Sequence, residues 1–465
     1  MMEIKNPYTG ASCGAIQETP LEKIEGVLVA AHRARYKIDG QGRARILRTF
    51  AERLAADKNL RELCAKTITD ESGLSQKDTL HEVERVIQTA KAAALVAEHI
   101  DDDTTEKYLT AKPAVSTGAK LRVITEPLDL VVGITPFNHP MNQVAHKVFP
   151  AIAAGASIVL KPSEKTPLSA ILLRTLLMDA GLPENLFTVV INSNVPETVR
   201  RLVTSPLVDL VSFTGSRAVG VSIAEIMTMG GNALKRFIPE LGGLSAFIIH
   251  TDADVPLAAT LAVKGCFKNS GQRCTSIRRI IALEPIADEF AQQFVQEAKK
   301  LVHGDPYNPE TDMGTLINEE AAKRVETRVS AALHDGAKLL LGHKRRGALY
   351  APTILDHVSP ASELVQHETF GPVGPIIRAR DIESALAIAN NTDYALAGAI
   401  VTKNREAAER AADALVVGQF SWNGIPGHRT EAAPFGGFRG SGNGQKEGVV
   451  LATESMRRIR TFYEH

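Results

Sequence analysis

Cys274 stands in the stretch KNSGQRCTS, residues 268–276, directly after Arg273 and behind Gly271 and Gln272. A thiolate is a strong nucleophile, and a neighbouring guanidinium favours the ionised form. The plainer reading is a small buried hydrophobe, the usual fate of a cysteine outside a disulfide. Glu240, in PELGG, is a carboxylate at a strand-end turn, able to activate water or simply solvated. Asn138 and His139 lie in TPFNHP. The asparagine amide can donate to a developing oxyanion, or bond its own backbone as a turn residue.

Two further stretches suit a nucleotide. SFTGSRAVG places Gly215 and Ser216 between a strand and a helix from about Ala218, where backbone N–H groups can receive a phosphate. IVLKPSEKTP ends a strand with Lys161 and Glu164. A carboxylate there can accept from a ribose 2′-hydroxyl and would repel a 2′-phosphate; alone, the pair also reads as a surface charge pair. The G-x-G-x-x-G fingerprint does not follow the first strand of the alternating region, so the pyrophosphate is not expected on that turn.

The elements that must carry these residues read as α/β. Residues 20–59 are helical by apolar spacing, with Arg43, Arg45 and Arg48 on a polar face, and residues 60–100 continue in helices. AKLRVITEPLDLVVGIT reads as two β runs joined at Glu126–Pro127, an extended hairpin. Apolar strands then alternate with amphipathic helices to about residue 240, the pattern of a parallel sheet covered on both faces, Rossmann-like in layout. The alternation restarts after residue 240 as a second α/β unit, and FGGFRGSGNG and a short tail close the chain.

Bulk properties narrow the class. The 465 residues are 44% hydrophobic, enough for two or three packed domains. Lysine plus arginine equals aspartate plus glutamate at 53 each, so no net charge recruits nucleic acid or an anionic membrane. Four scattered cysteines make no disulfide framework, and neither C-x-x-C nor H-E-x-x-H occurs, so no metal is expected. The N-terminus lacks a signal-peptide pattern, and no apolar run is long enough to span a bilayer. A soluble, cytoplasmic protein is expected.

Seven motifs, PFNHP, KPSEKTP, FTGS, PELGG, GQRCT, HETFGPV and PFGGFRGSG, occur in this order. In order and approximate spacing the chain resembles the NAD(P)-dependent aldehyde dehydrogenase superfamily over almost its whole length. FNHP, AHKV and KNSGQRCT are most similar to phosphonoacetaldehyde dehydrogenases. The resemblance implies an aldehyde-dehydrogenase-like fold. It has a Rossmann-type NAD-binding domain (1–110 and 128–240), an α/β catalytic domain (241–425) and a small β oligomerisation arm (111–127 and 449–465). It implies Cys274 as nucleophile, Asn138 as oxyanion donor and Glu240 as the base for thioester hydrolysis. Thr135, Pro136, Phe137, Lys161, Ser163, Glu164, Phe213, Thr214, Gly215, Ser216, Val219, Leu241, Gly242, Glu368 and Phe370 would line the cofactor. Glu164 at the ribose position favours NAD over NADP. A homodimer or homotetramer is implied.

Phe137 stands where tryptophan is frequent, Pro239 where leucine is commoner, and Leu244 and Ala246 also depart from the family pattern. His139 replaces an aromatic residue. With Arg85, Arg273, Thr275 and Arg429 it would line the substrate tunnel. Guanidinium groups there suggest an anionic aldehyde, with phosphonoacetaldehyde first and glyceraldehyde 3-phosphate, a sulfonated aldehyde or succinate semialdehyde as alternatives. A CoA-acylating enzyme and a non-catalytic binding protein are the other classes considered; Glu240 argues against the first, and the complete set Asn138, Glu240 and Cys274 against the second.

Overall fold

Strands that read as continuous apolar runs are buried on both faces. The computed structural model describes residues 1–34, 38–102, 119–229 and 234–465. Five parallel strands form one sheet, in the order Phe187–Val189, Ser157–Lys161, Leu130–Ile134, Leu210–Thr214 and Arg236–Glu240. Helices Asn142–Ala154 and Leu168–Asp179 pack on one face, with the N-terminal helices Gly40–Ala56 and Gln76–His99 behind them. Helices Ile24–Ala34, Val195–Thr204 and Arg217–Met229 cover the other. Helix Asn142–Ala154 ends at Gly155, whose φ of 87° is the left-handed stop that glycine adopts without strain.

The second sheet has seven strands. Its order is Lys338–Leu341, Thr353–Asp356, Val373–Ala379, Ile277–Leu283, Ser245–Ile249, Ala397–Val401 and Gln419–Trp422. All neighbours are parallel except the first pair. Helices Val255–Phe267 and Glu284–Ala298 cover one face, Glu319–His334 and Ile382–Asn390 the other. The chain passes from the last strand of the first sheet into a central strand of the second through Leu241–Leu244 alone.

Two sequence expectations are corrected. Lys120–Pro127 does not form a hairpin with Leu130–Ile134. It pairs antiparallel with the C-terminal strand Arg457–Glu464 along its whole length. Leu130–Ile134 has both edges taken by Ser157–Lys161 and Leu210–Thr214, so no edge remains for a hairpin partner. Of the arm expected over 111–127, residues 111–118 lie outside the described residues, as do 103–110 and 230–233 of the expected cofactor domain. No described helix is long and apolar enough to cross a membrane.

Arg43 is not on a polar face; Arg45 and Arg48 are exposed, but Arg43 is buried. Its guanidinium donates to Ala153 O at 3.2 Å and Ile38 O at 2.6 Å, and pairs with Asp101 at 2.9 Å. Arg457 reaches the same carboxylate at 3.0 Å, so one acid ties the N-terminal helices to the C-terminal strand. Arg43→Met removes these donors and leaves buried carbonyls unpaired. It is expected to lower stability by about 2–3 kcal/mol, read from the urea midpoint. Arg45→Met should change it by less than about 0.5 kcal/mol. Equal effects of the two would show that Arg43 carries no buried hydrogen-bonding role.

Candidate active site

The carboxyl ends of the first sheet face the amino ends of the second, and the expected catalytic residues lie in between. Ligands of open parallel sheets bind at carboxyl ends of strands. Thr135, Lys161, Thr214 and Glu240 end or directly follow four neighbouring strands of the first sheet, and Cys274 lies three residues before Ile277, where a strand of the second begins. The crossing Leu241–Leu244 is pinned by Leu241 N–H to Ser441 O at 3.0 Å and Gly243 N–H to Glu368 Oε1 at 3.1 Å. Its glycines are required by contact: a Cβ on Gly242 would strike the Glu368 carboxylate, and one on Gly243 the Cys274 carbonyl.

Cys274 is presented by an unusual turn. After helix Val255–Phe267, Asn269, Ser270 and Gly271 all have left-handed φ, 59°, 53° and 69°. For the two non-glycine residues this costs on the order of 1 kcal/mol or more each, so the surroundings must impose it. Asp78 Oδ2 accepts Asn269 N–H at 2.9 Å, and the Asn269 side-chain amide donates to Asn138 O at 2.8 Å. Asn138 Nδ2 donates to Gln272 O at 2.8 Å, and Gln272 Oε1 accepts Ile317 N–H at 2.9 Å. Arg278 is fully buried and donates to Gly371 O at 2.7 Å and to Gly271 O. Asn138 and the nucleophile loop are thus joined directly, and the second amide N–H of Asn138 remains available.

Burial pushes the Cys274 thiol up to about 12, with the Glu368 and Glu240 charges adding to it. Arg429 and Arg273 pull the other way. Arg273 acts in the expected direction, toward thiolate, but burial acts more strongly against it. Arg273 is spent partly on the end of helix Val255–Phe267, donating to Lys264 O and Gly265 O at 3.4 and 3.3 Å. Its Nε is buried without a hydrogen-bond partner among the described residues.

Glu240 is buried, and neither carboxylate oxygen has a hydrogen-bond partner among the described residues. Burial and the nearby Glu447 charge raise its pKa well above the carboxylate range. Glu447 lies in a fully buried ion pair with Lys147 at 2.7 Å, and Ser212 bonds both. Neither Lys147 nor Glu447 was singled out from the sequence. Lys147 follows His146 in NQVAHKVF, a stretch half polar in composition, so local pattern does not mark its burial.

The expected cofactor residues lie at or just beyond the carboxyl ends of the first sheet, with Glu368 and Phe370 meeting them at Gly243 and Phe137. Thr135 and Thr214 keep their hydroxyl oxygens buried and without partners among the described residues. Lys161 pairs with Glu164 at 3.3 Å, and Lys165 N–H donates to Ser163 Oγ at 3.2 Å. Burial would raise the Glu164 carboxyl, but the Lys161 ammonium, a backbone hydrogen bond and Lys165 together outweigh it and hold the pKa low. Ser216 and Val219 are exposed at the start of helix Arg217–Met229, beside Gly215 and above the buried Phe213. Phe137, next to Pro136, meets Phe370 edge-on at 5.8 Å. Unpartnered hydroxyls, an open helix N-terminus and a lysine–carboxylate pair at a strand end suit the phosphates and riboses of a dinucleotide.

The expected substrate residues converge, but not as free cations. The Arg85 and Arg273 charges act on one another, and Arg429 and Arg273 both act on Cys274. Arg85, however, is held bidentate by Glu431 at 2.7 and 3.0 Å. His139 faces Glu82 at 3.4 Å, whose other oxygen caps the next helix at Met141 and Asn142 N–H. Thr275 is buried against Gly427. Arg429 stacks over Phe435 at 3.9 Å. Sequence reading missed Asp78, Glu82 and Glu431; the first two share a helix face with Arg85 at spacings of four and three, which was the available signal.

A model described as the aldehyde dehydrogenase family matches residues 1–462. Sulfoacetaldehyde dehydrogenase of Neptuniibacter caesariensis is 34% identical over 463 residues, covering 98% of each chain. Aspartate-semialdehyde dehydrogenase 1 of Pseudomonas canavaninivorans is 35% identical over 98% of this chain and 94% of its own. The crystal structure of glyceraldehyde-3-phosphate dehydrogenase GapN from Methanocaldococcus jannaschii, complexed with NADP, superposes with a TM-score of 0.91. It is 35% identical and covers 100% of this chain and 99% of its own. None of these three names is a phosphonoacetaldehyde dehydrogenase. This chain belongs to the aldehyde dehydrogenase family, whose members are oxidoreductases of the aldehyde group that use NAD or NADP.

Proposed function

We propose that this protein oxidises a short aldehyde with an anionic head group to the corresponding acid, using Cys274, Asn138 and Glu240. The observation that carries the anionic part is the pair Arg273 and Arg429. Both act on Cys274, and neither has a carboxylate partner among the described residues. Phosphonoacetaldehyde is the member of this class that the sequence motifs favour. Sulfonated aldehydes and semialdehydes belong to the same class, and the names of the relatives support them.

Cys274 Sγ attacks the carbonyl carbon after losing its proton, while the free Asn138 N–H and the Cys274 backbone N–H receive the oxyanion. Lys161, Glu164, Ser216 and the start of helix Arg217–Met229 would hold NAD, whose nicotinamide would supply the hydride acceptor for the Cys274 adduct, and Glu164 would favour NAD over NADP by repelling a 2′-phosphate. Glu240 then draws a proton from water, which attacks the Cys274 thioester and releases the acid. The same reading makes residues 1–110 and 128–240 the cofactor domain and residues 241–425 the catalytic domain. It makes the strand pair Lys120–Pro127 and Arg457–Glu464 an oligomerisation arm, consistent with exposed Ile459, Phe462 and Tyr463.

Three measurements test this. A kcat/KM panel should favour phosphonoacetaldehyde, sulfoacetaldehyde or succinate semialdehyde over acetaldehyde by about 10²-fold, the worth of one or two charge-assisted hydrogen bonds. Arg273→Met and Arg429→Met should each lower the ratio of charged to uncharged turnover about tenfold, on top of a slowing common to both aldehydes because each guanidinium favours the thiolate; an unchanged ratio, or equal wild-type rates on charged and uncharged aldehydes, would sink the anionic reading. Cys274→Ala should abolish NAD reduction. Glu240→Gln should leave a single-turnover burst and slow steady turnover about 10²–10³-fold, releasing acid rather than acyl-CoA even with CoA present. Full turnover of the Cys274 variant defeats the covalent route.

The pH dependence has a definite sign. Cys274 and Glu240 both react deprotonated, and burial raises both. Activity is therefore lost as pH falls, and kcat/KM is expected to rise through pH 7 to 9. In the Glu240→Gln variant the burst rate should keep this rise, because the thiol still titrates. A pH-independent rate over that range contradicts a resting neutral thiol.

A further inference from the structure

Two consecutive residues, Lys446 and Glu447, act on the Glu240 carboxyl with opposite sign. They end a loop, residues 435–447, that packs against it. Phe435 and Glu447 exchange both backbone hydrogen bonds, at 2.9 and 2.5 Å, which joins the two ends of the loop. Glu240 itself bridges antiparallel to Gly442 within it. Gly436 lies directly against the acid: a Cβ there would strike Glu240 Oε1, and it would meet Lys446 Cδ at 3.3 Å. The Glu240 carboxylate and the Lys446 stem therefore border the same glycine.

The Lys446 ammonium donates to Gly436 O, and to Gly418 O at 3.4 Å. It lies 4.4 Å from the centre of the Phe438 ring. No carboxylate pairs with it among the described residues, and Glu240 is the acid whose charge acts on it. The lysine thus ties two glycine turns together beside the carboxylate.

Glu240 must lose its proton to serve as a base, yet both of its oxygens are buried without partners. Burial opposes ionisation most, and Glu447 adds to it; Lys147, Arg429 and Lys446 act the other way. The Cys274 thiol responds to Glu240 in turn. Lys147 is spent on Glu447 at 2.7 Å. Arg429 belongs to the substrate side in the reading above, where a bound anion offsets it. Lys446 is then the cation whose effect on Glu240 is cancelled neither by an internal acid nor by the substrate.

We propose that Lys446 is a positioning residue for Glu240: it holds Gly436 against the carboxyl and supplies the uncancelled positive charge beside the base. This rests on the reading of Glu240 as the base of thioester hydrolysis.

The test follows hydrolysis of the acyl-enzyme by rapid quench from pH 6.5 to 9.5, using the aldehyde of highest kcat/KM in the panel above. The NADH burst of the same sample is the reference, because it reports the step before Glu240 is needed as a base. Lys446→Met should slow hydrolysis about three- to tenfold at pH 7, with the burst changed by less than about twofold. The gap should narrow toward pH 9.5, because loss of a cation raises the pH at which Glu240 ionises and leaves the ionised base at work above it. Lys446→Arg, which keeps charge and donors, should restore the wild-type profile. In a Glu240→Gln background, Lys446→Met should change the residual hydrolysis by less than about twofold, because it acts through Glu240.

A slowing of equal size at every pH shows a purely structural tie and overturns the proposal. So does wild-type hydrolysis by Lys446→Met at pH 7, a Lys446→Arg profile that matches Lys446→Met, or a further loss in the Glu240→Gln background. Each of these leaves Glu240 standing as the base. Acyl-enzyme hydrolysis as fast in Glu240→Gln as in the wild type defeats that reading and this inference together.

Discussion

A run of left-handed backbone just before the nucleophile is the constraint on which the site depends. Asn269 and Ser270 have side chains that disfavour it, so the turn persists only while distant groups hold it. Those groups come from every part of the chain: Asp78 from an N-terminal helix, Asn138 from the first sheet, Arg278 and Gln272 from the second unit. The nucleophile's position is therefore a property of the assembled fold. It also explains why Arg278 is a fully buried arginine. A guanidinium can satisfy carbonyls on both the Gly271 and Gly371 turns at once, which no apolar side chain does.

Helix Gln76–His99 distributes this constraint. On one face Asp78 holds the nucleophile turn, Glu82 caps the helix that follows Asn138, and Arg85 holds the loop of Glu431. Three loops from three regions are thus registered against one rigid rod. An acidic residue suits the first two positions because each must accept backbone N–H groups, and buried N–H groups left unpaired are costly. A shift of this helix would move the turn before Cys274, the segment of Asn138 and the loop of Glu431 together.

The sequence was most legible where chemistry and topology coincide. Residues at strand ends, such as Lys161, Thr214 and Glu240, are flagged both by motif and by the alternation of strand and helix. Four strands of each sheet were readable as apolar runs because burial on both faces demands it, whereas Arg236–Glu240, Thr353–Asp356, Gln419–Trp422 and the largely exposed Lys338–Leu341 were not. Pairing was less legible. Lys120–Pro127 has the composition of a hairpin strand, but the edges of Leu130–Ile134 are claimed by strands much later in the chain, and nothing local reveals that. Arg43, Asp78 and Glu431 were unread for a related reason: each is a charged residue whose partner is remote in sequence, so local pattern assigns it to a surface.

Charge placement gives the site its resting state. Half-buried Cys274 and buried Glu240, the two groups proposed to react as anions, are both pushed toward their neutral forms. Glu431 and Glu447, which do no bond-making, are held ionised by Arg85 and Lys147. The permanent charges are thus confined to residues with fixed partners, while the reactive groups stay neutral. A neutral thiol is a poor target for oxidation or stray electrophiles. An anion bound at Arg273 and Arg429 would partly neutralise the cations that favour thiolate, so the substrate's own charge does not activate the nucleophile. Activation must come from removal of the Cys274 proton, against the burial that favours the thiol.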